Sequence, residues 1–166
     1  GKFVLHWVTH PRALPLAVPA ATLHMAAHRG MEVVVCRPEG YALPEATMAK
    51  ARAAAAASGG SVTETTDRAA ATACAHVVYA KEWGCTAPYG DAAADIALRQ
   101  HLNDWQVSEA SFAAAASTAH FMHCLPVRRN VAVTDEVLDG PRSIVLREAH
   151  NRLVVQMAVL HRLLAR

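Results

Sequence analysis

The sequence predicts a single α/β domain in three layers, with a mostly parallel, five-stranded, Rossmann-like sheet and helices on both faces. Apolar, β-rich segments alternate with helical segments along the 166-residue chain, and this alternation is typical of parallel sheets. No internal repeat or domain boundary divides the chain, and 166 residues are enough to bury the core of one domain.

Five segments have the composition of strands. The first, "KFVLHWV", and the second, "MEVVVC", are continuous apolar runs of the kind that parallel sheets bury. The third, "SVTET", is the weakest of the five. In chain order, the predicted strands are residues 2–8, 31–36, 61–65, 76–80 and 119–124.

Helices are predicted between these strands from alanine content and from the residues at their ends. Gly30 and the Gly59–Gly60 pair suit helix C-termini, and Asp67 suits an N-cap. The segment between the fourth and fifth predicted strands is too long for a plain connection, so we expect it to be functional or to face a partner. The predicted helices are residues 16–30, 43–60 and 67–75, helical pieces near 91–101 and 108–116, and a helix start at Asp135 with Thr134 as its cap.

Charge and composition exclude several classes of function. A net charge of +2 without a dense Lys/Arg patch does not suit a nucleic-acid-binding protein. No apolar run is long enough for a membrane span, and the start has no signal-peptide pattern. The four cysteines form no CxxC pair, so we expect free thiols in a reducing, cytoplasmic compartment. The usual nucleotide-binding motifs are missing, and no cofactor is predicted.

Chemistry-bearing residues concentrate at the ends of three predicted strands. The segments "HWVTHPR", "AKEWG" and "HCLPVRRN" follow strands one, four and five. Ligands of open parallel sheets bind outside the carboxyl ends of the strands. We therefore expect these three segments to form one pocket.

Each candidate residue of that pocket has a functional and a purely structural interpretation. Cys124 is either a small buried hydrophobe or a polar group of the pocket, and no partner base marks it as a nucleophile. Lys81 is either solvated or an anchor for a carboxylate. Arg152 lies in the first turns of the last helix, and if it faces the turn after strand five, its forked donor set would suit a carbonyl or phosphate oxygen. Arg128 and Arg129 are expected to brace their turn.

A metal site is not expected. The residues that raise the possibility do not have compact metal-ligand spacing. They are His6, His10, His120, His123 and Cys124.

The last helix has two apolar stripes. Leu146, Leu153 and Leu160 belong to the first, and Val155 and Val159 belong to the second, about a third of a turn away. A helix that lies on one sheet needs only one apolar face. The helix is therefore either fully buried or packed against another domain or subunit, and we favour the second alternative.

Two long segments resemble a known family. "HCLPVRRNVAVTDEVLDGP" and "EAHNRLVVQMAVL" resemble the second, amino-acid-binding half of the aspartate/ornithine carbamoyltransferases. Ornithine enzymes usually have Asp at the place of Lys81, followed by Ser-Met-Gly, which this chain lacks. "THPRALPLAV" also resembles the proline-containing loop of enzymes that act on N-acylated ornithine. The nearest resemblance is therefore to N-acetylornithine and N-succinylornithine carbamoyltransferases.

The resemblance implies roles for five residues. Cys124 and Arg152 would be catalytic, the first near the carbamoyl group and the second holding its oxygen. Lys81, His10 and the backbone of Leu125 would bind the amino-acid substrate. An acylated ornithine has lost its α-ammonium, so a lysine that binds the α-carboxylate suits it better than an aspartate does.

The resemblance also implies partners. The substrates would be N-acylornithine and carbamoyl phosphate, in arginine biosynthesis. The family's Ser-x-Arg-Thr phosphate loop is absent, so we expect a missing N-terminal domain, a homotrimer in the longer enzyme, and an isolated domain that is inactive. The alternatives are a stand-alone, non-catalytic binding module and the domain of an ordinary ornithine carbamoyltransferase. Two positions depart from the family pattern: His150 replaces a usual Glu, and Ala132 replaces a lysine that some relatives modify.

Overall fold

The computed structural model describes residues 1–165 and contains all five predicted strands in one sheet. Every neighbouring pair of strands is parallel, and the order across the sheet is β3-β2-β1-β4-β5. The strands are β1 (Lys2–Trp7), β2 (Glu32–Cys36), β3 (Ser61–Thr65), β4 (Val77–Lys81) and β5 (His120–Met122).

Six α-helices and one 3₁₀ helix connect or follow the strands of the described chain. Asp67 and Asp91 cap α3 and α4 through their side chains, which accept from the backbone N–H groups of Ala70 and Ala94. The α-helices are α1 (Ala17–His28), α2 (Glu45–Ser58), α3 (Arg68–Thr72), α4 (Ala92–Arg99), α5 (Asp135–Leu138) and α6 (Val145–Leu164), and the 3₁₀ helix is Glu109–Phe112.

The sheet is covered on both faces. The last five residues of β1 are all buried, and successive side chains of a strand point to opposite faces. Helix α1 packs against α2, β1 and β2, and α3 packs against β2 and the 3₁₀ helix. The predicted α/β class, with a parallel sheet between helical layers, is confirmed.

The prediction of a helical piece at 108–116 is wrong over most of its length. Only Glu109–Phe112 are helical, in a 3₁₀ turn. Beyond that turn, the carbonyl of Ala114 accepts from the backbone N–H of Cys74, and the N–H of Ala116 donates to Ala75. These long-range backbone bonds occupy groups that a continued helix needs, so alanine propensity does not decide the conformation here.

Helix α6 extends away from the sheet. Val145 is its buried residue, and every residue from Ala149 to Ala165 is exposed. Of the two alternatives for its apolar stripes, full burial is therefore wrong. Within residues 1–165, no helix has the length and hydropathy that crossing a bilayer requires.

The sheet has a topological switch point between β1 and β4. From β1 the chain moves outward to β2 and β3, and then returns to place β4 on the other side of β1. Trp7 pairs with Lys81 at the carboxyl ends of these two strands. Loops leave such a point in opposite directions and open a crevice between them.

Candidate functional site

The loops after β1, β4 and β5 form one cavity of about 390 Å³ at the carboxyl edge of the sheet. The prediction that these three segments meet in one pocket is confirmed. We call this the strand-end cavity. Its lining residues are His10, Arg12, Leu14, Lys81, Glu82, Leu125, Pro126, Val127 and Arg128.

A buried ionic network lies at the base of the strand-end cavity. The Lys81 ammonium donates to Glu82 Oε1 at 2.8 Å, and the ring of His123 lies with Nε2 at 3.4 Å from Glu82 Oε2. All three side chains are buried. Burial by itself would raise the pKa of Glu82, but hydrogen bonds from His123 and Lys81 outweigh it and lower the pKa to about 2. Glu82 is therefore a carboxylate at neutral pH.

The turn after β5, residues 123–130, is held from two sides. His123 Nδ1 accepts from the backbone N–H of Leu125 at 3.0 Å. The Glu148 carboxylate of α6 accepts from the backbone N–H of His123 at 3.1 Å and from the Tyr79 hydroxyl at 2.8 Å. Leu125 has φ of 52° and precedes a cis peptide bond to Pro126. The hydrogen bonds of His123 and Glu148 thus hold the β5 turn.

Cys124 lies on the β5 turn, half-buried and next to the ionic network. Burial raises the pKa of its thiol, against a smaller lowering by the nearby charge of Lys81. The thiol is therefore protonated at neutral pH, which suits a polar contact better than a nucleophile. Cys124 is not among the residues that line the strand-end cavity.

His10 and Arg128 meet at the rim of the strand-end cavity. Arg128 Nε donates to His10 Nε2 at 3.1 Å, and His10 Nδ1 lies 3.0 Å from the carbonyl oxygen of Arg12. Burial is the main cause that lowers the pKa of His10, and the Arg128 charge contributes. His10 is therefore neutral at pH 7 and orients a guanidinium toward the cavity.

The two adjacent arginines of the β5 turn have different roles. Arg129 pairs with Asp135 at 2.8 Å and with Asp139 at 2.6 Å, both in or next to α5, so the prediction that it braces the turn is confirmed. Arg128 instead lines the strand-end cavity. Thr134 stands at the N-cap position of α5, but its side chain makes no capping hydrogen bond.

A second buried ion pair fixes the outer wall of the strand-end cavity. Arg99 of α4 pairs with Asp95 and donates to the backbone carbonyls of His10 at 3.0 Å and Arg12 at 3.1 Å. The other oxygen of Asp95 accepts from the backbone N–H of Cys85. Arg99 and Asp95 therefore join the loops after β1 and β4 to each other.

Arg152, like Cys124, is a predicted site residue that does not line the strand-end cavity. It lies in the exposed part of α6. Glu148, which contacts the β5 turn, precedes it by four residues, so the two side chains share one helix face. Arg152 is thus one helical turn beyond the contact between α6 and the sheet.

Sequence reasoning missed Glu82, Glu148 and the Asp95–Arg99 pair. Glu82 follows Lys81 directly in "AKEW", and a charged residue at the end of a buried strand was the available signal. Within residues 1–165, no group of three His, Cys, Asp or Glu side chains is arranged to hold a metal ion.

Comparison with known proteins identifies the family. The family described as "Aspartate/ornithine carbamoyltransferase, Asp/Orn binding domain" matches residues 18–163. N-acetylornithine carbamoyltransferase of Xanthomonas campestris pv. campestris is 40% identical over 160 residues, which are 96% of this chain and 47% of that protein. The chain belongs to the aspartate/ornithine carbamoyltransferase family.

Two further relatives extend this result. N-succinylornithine carbamoyltransferase of Bacteroides fragilis is 38% identical over 98% of this chain and 46% of its own length. A crystal structure of acetylornithine transcarbamylase complexed with acetylcitrulline has a TM-score of 0.90 and 40% identity, covering 96% of this chain and 48% of that one. The chain thus spans about half the length of the curated relatives it matches, and the predicted resemblance to carbamoyltransferases of acylated ornithine is confirmed.

The departure from the carbamoyltransferase pattern at His150 lies away from the hydrogen bonds that hold the β5 turn. His150 is exposed on α6. Glu148, two residues earlier, makes the hydrogen bonds to Tyr79 and to the turn. The carboxylate that holds the turn is therefore present.

Proposed function

We propose that this chain is the amino-acid-binding domain of a cytoplasmic carbamoyltransferase that acts on N-acylated ornithine in arginine biosynthesis. The carbamoyl group of carbamoyl phosphate would be transferred to the δ-amine. N-acetylornithine and N-succinylornithine both remain candidate substrates, because relatives of both names match nearly the whole chain.

The observation that carries this proposal is the charge of the strand-end cavity. Lys81, Arg12 and Arg128 supply three cations to its lining, whereas Glu82 is the one acidic lining residue of the described chain. Both Glu82 oxygens are already engaged, by Lys81 and His123. The cavity therefore suits the α-carboxylate of an acylated amino acid and offers no free carboxylate to the α-ammonium of unmodified ornithine.

Lys81 remains able to bind the α-carboxylate although it pairs with Glu82. An ammonium group has three donors, and Glu82 takes one of them. Arg128, oriented by His10, supplies a second donor group at the rim. In this proposal, Lys81 and His10 serve the amino-acid substrate as the sequence predicted, and Arg128 joins them.

The chemistry requires orientation and donors more than a protein nucleophile. The neutral δ-amine attacks the carbonyl carbon, a C–N bond forms and the C–O bond to phosphate breaks, and the amine proton passes to the departing phosphate. The N–H of Leu125 already donates to His123, so its carbonyl oxygen is the backbone group left to accept from the δ-amine. The protonated Cys124 thiol would provide a polar contact nearby, and Arg152 would donate to the carbamoyl oxygen.

Helix α6 supports the proposal of a second domain. Large apolar side chains of α6, such as Leu153 and Met157, are exposed, and an apolar patch of this size is typical of an interaction surface. We propose that an N-terminal carbamoyl-phosphate domain covers α6, supplies the phosphate contacts, and brings Arg152 over the β5 turn. The working enzyme would be a homotrimer, and the isolated domain would be inactive.

Turnover of three substrates tests this proposal. The protein that carries both domains should convert N-acetylornithine or N-succinylornithine to the carbamoylated product, with kcat/KM well above that for ornithine. Preferred turnover of ornithine would instead support an ordinary ornithine carbamoyltransferase. Binding of an acylornithine without turnover of any of the three would support a non-catalytic binding module.

A further inference from the structure

We propose that Glu82 is a positioning residue of this site, an inference that rests on the proposed function. It would hold the Lys81 ammonium and the His123 ring in one arrangement and, through His123, fix the Leu125 peptide. One carboxylate would thereby set the geometry of the substrate anchor on β4 and of the reactive turn after β5.

The hydrogen-bond directions support a continuous chain from Lys81 to Leu125. His123 Nδ1 accepts from the Leu125 N–H, so the proton of the neutral ring lies on Nε2, which faces Glu82 Oε2. The other oxygen, Oε1, accepts from Lys81. Glu82 therefore faces a donor on each side, and only a carboxylate can accept from both with two separate oxygens.

Because these charged groups are buried, losing one hydrogen-bond partner has a large energetic cost. Lys81, Glu82 and His123 are all buried, and a buried cation that loses its partner is strongly destabilised. A glutamine at position 82 has one acceptor oxygen and one donor amide. The amide would meet either the Lys81 ammonium or the His123 Nε2–H, so one side of the network would have to open.

Because both oxygens of Glu82 already have partners, Glu82 is expected to position other groups and not to contact the substrate. Both Glu82 oxygens are used within the chain, by Lys81 at 2.8 Å and by His123 at 3.4 Å. Glu82 is therefore expected to act through Lys81 and Leu125. Its removal should affect the amino-acid substrate more than carbamoyl phosphate.

Kinetics of Glu82→Gln in the two-domain protein test the inference. We expect the KM for the acylornithine to rise about tenfold or more and kcat to fall by a similar factor, because small displacements of positioning groups cost up to about 10²-fold. The KM for carbamoyl phosphate should change less than about twofold. Glu82→Asp, which keeps the charge but shortens the reach, should recover part of the loss. The exposed Glu39 gives the control Glu39→Gln, which should behave as wild type.

Equal changes in both KM values, or none, would overturn the positioning role. If the glutamine variant does not fold, Glu82→Asp serves alone: a raised acylornithine KM in a folded protein supports the role, and a wild-type value overturns it.

A crystal structure of the Glu82→Gln chain separates failure of this inference from failure of the proposed function. We expect Lys81 or His123 to move away from position 82, and where His123 moves, its bond from the Leu125 N–H should be lost. An unchanged network would overturn the inference even if the wild-type enzyme acts on acylornithine. If the wild-type enzyme does not act on acylornithine, the proposed function fails. The positions of Lys81 and His123 in the variant structure still show whether Glu82 positions these groups.

Discussion

The strand-end cavity and the exposed part of α6 differ in how their side chains are satisfied. At the cavity, Lys81, Glu82 and His123 are buried and paired with one another. Along α6, Leu153 and Leu160 are 58% and 56% exposed. The buried ionic groups of the cavity thus find partners within this chain, whereas these apolar side chains of α6 do not.

This difference indicates which part of the proposed active-site cleft this chain forms by itself. The amino-acid half of the cleft is organised by this chain alone, because its loops are joined by buried ion pairs and backbone hydrogen bonds. In the proposed enzyme, a second domain that covers α6 would supply the other half of the cleft.

The largest expected effect is on stability, from loss of the clamp between the two cavity loops. Arg99→Met removes the partner of the buried Asp95 and should lower the free energy of unfolding by about 3–5 kcal/mol. Urea unfolding measures this. Arg52→Met, which breaks the exposed pair with Glu45, is the matched control and should cost less than about 1 kcal/mol. Similar losses for both would show that the clamp does not organise the cavity.

The next effect is a pH dependence caused by His6. Burial lowers the pKa of His6 from 6.5 to about 4. The unfolded chain therefore binds this proton first as pH falls, so stability that is present above pH 6.5 is lost toward pH 4, by up to about 3 kcal/mol. His6→Asn should flatten the curve of unfolding free energy over this window. An unchanged slope would assign the pH dependence to other groups.

Glu82 acts in a separate and more acidic window. Its pKa of about 2 lies below the ordinary value of 4.5, so its contribution is present above pH 4.5 and is lost as pH falls toward 2. The two windows can be separated by measuring unfolding between pH 7 and pH 4.5 before going lower.

The smallest expected effect comes from substitutions on the exposed face of α6. In this chain, replacing Leu153 and Leu160 together by Gln should change the free energy of unfolding by less than about 0.5 kcal/mol, because both are exposed. In the two-domain protein the same change should cost about 2–5 kcal/mol. Val145→Ala, at the buried end of α6, should destabilise both forms. Equal, small effects of the double variant in both forms would contradict the proposed cover of α6.

Most of the fold could be predicted because it is encoded locally. β3 has the predicted bounds, and β2 is one residue shorter than predicted, since glycines and turns bound both segments. The helical piece at 108–116 could not be predicted, because its backbone bonds to Cys74 and Ala75, more than thirty residues earlier. Local propensity gives no signal of such pairing.

In the candidate site, too, contacts between residues far apart in the sequence could not be predicted. Lys81 was a candidate because it stands at the carboxyl end of a buried strand, whereas the roles of His10 and Leu125 came from the family resemblance. Glu82 was missed because its second partner, His123, is 41 residues away. Arg128 and Arg129 are identical neighbours, so the sequence does not tell which faces the cavity.

The most direct test of the central claim, that the strand-end cavity binds the α-carboxylate of an acylated ornithine through Lys81, is the kinetics of Lys81→Met in the two-domain protein. Loss of a charge-assisted hydrogen bond should raise the acylornithine KM about tenfold to a hundredfold and leave the carbamoyl phosphate KM nearly unchanged. Lys50→Met, at an exposed position of α2, should leave both unchanged. If Lys81→Met raises both KM values equally, or neither, the lysine is structural and the account is contradicted.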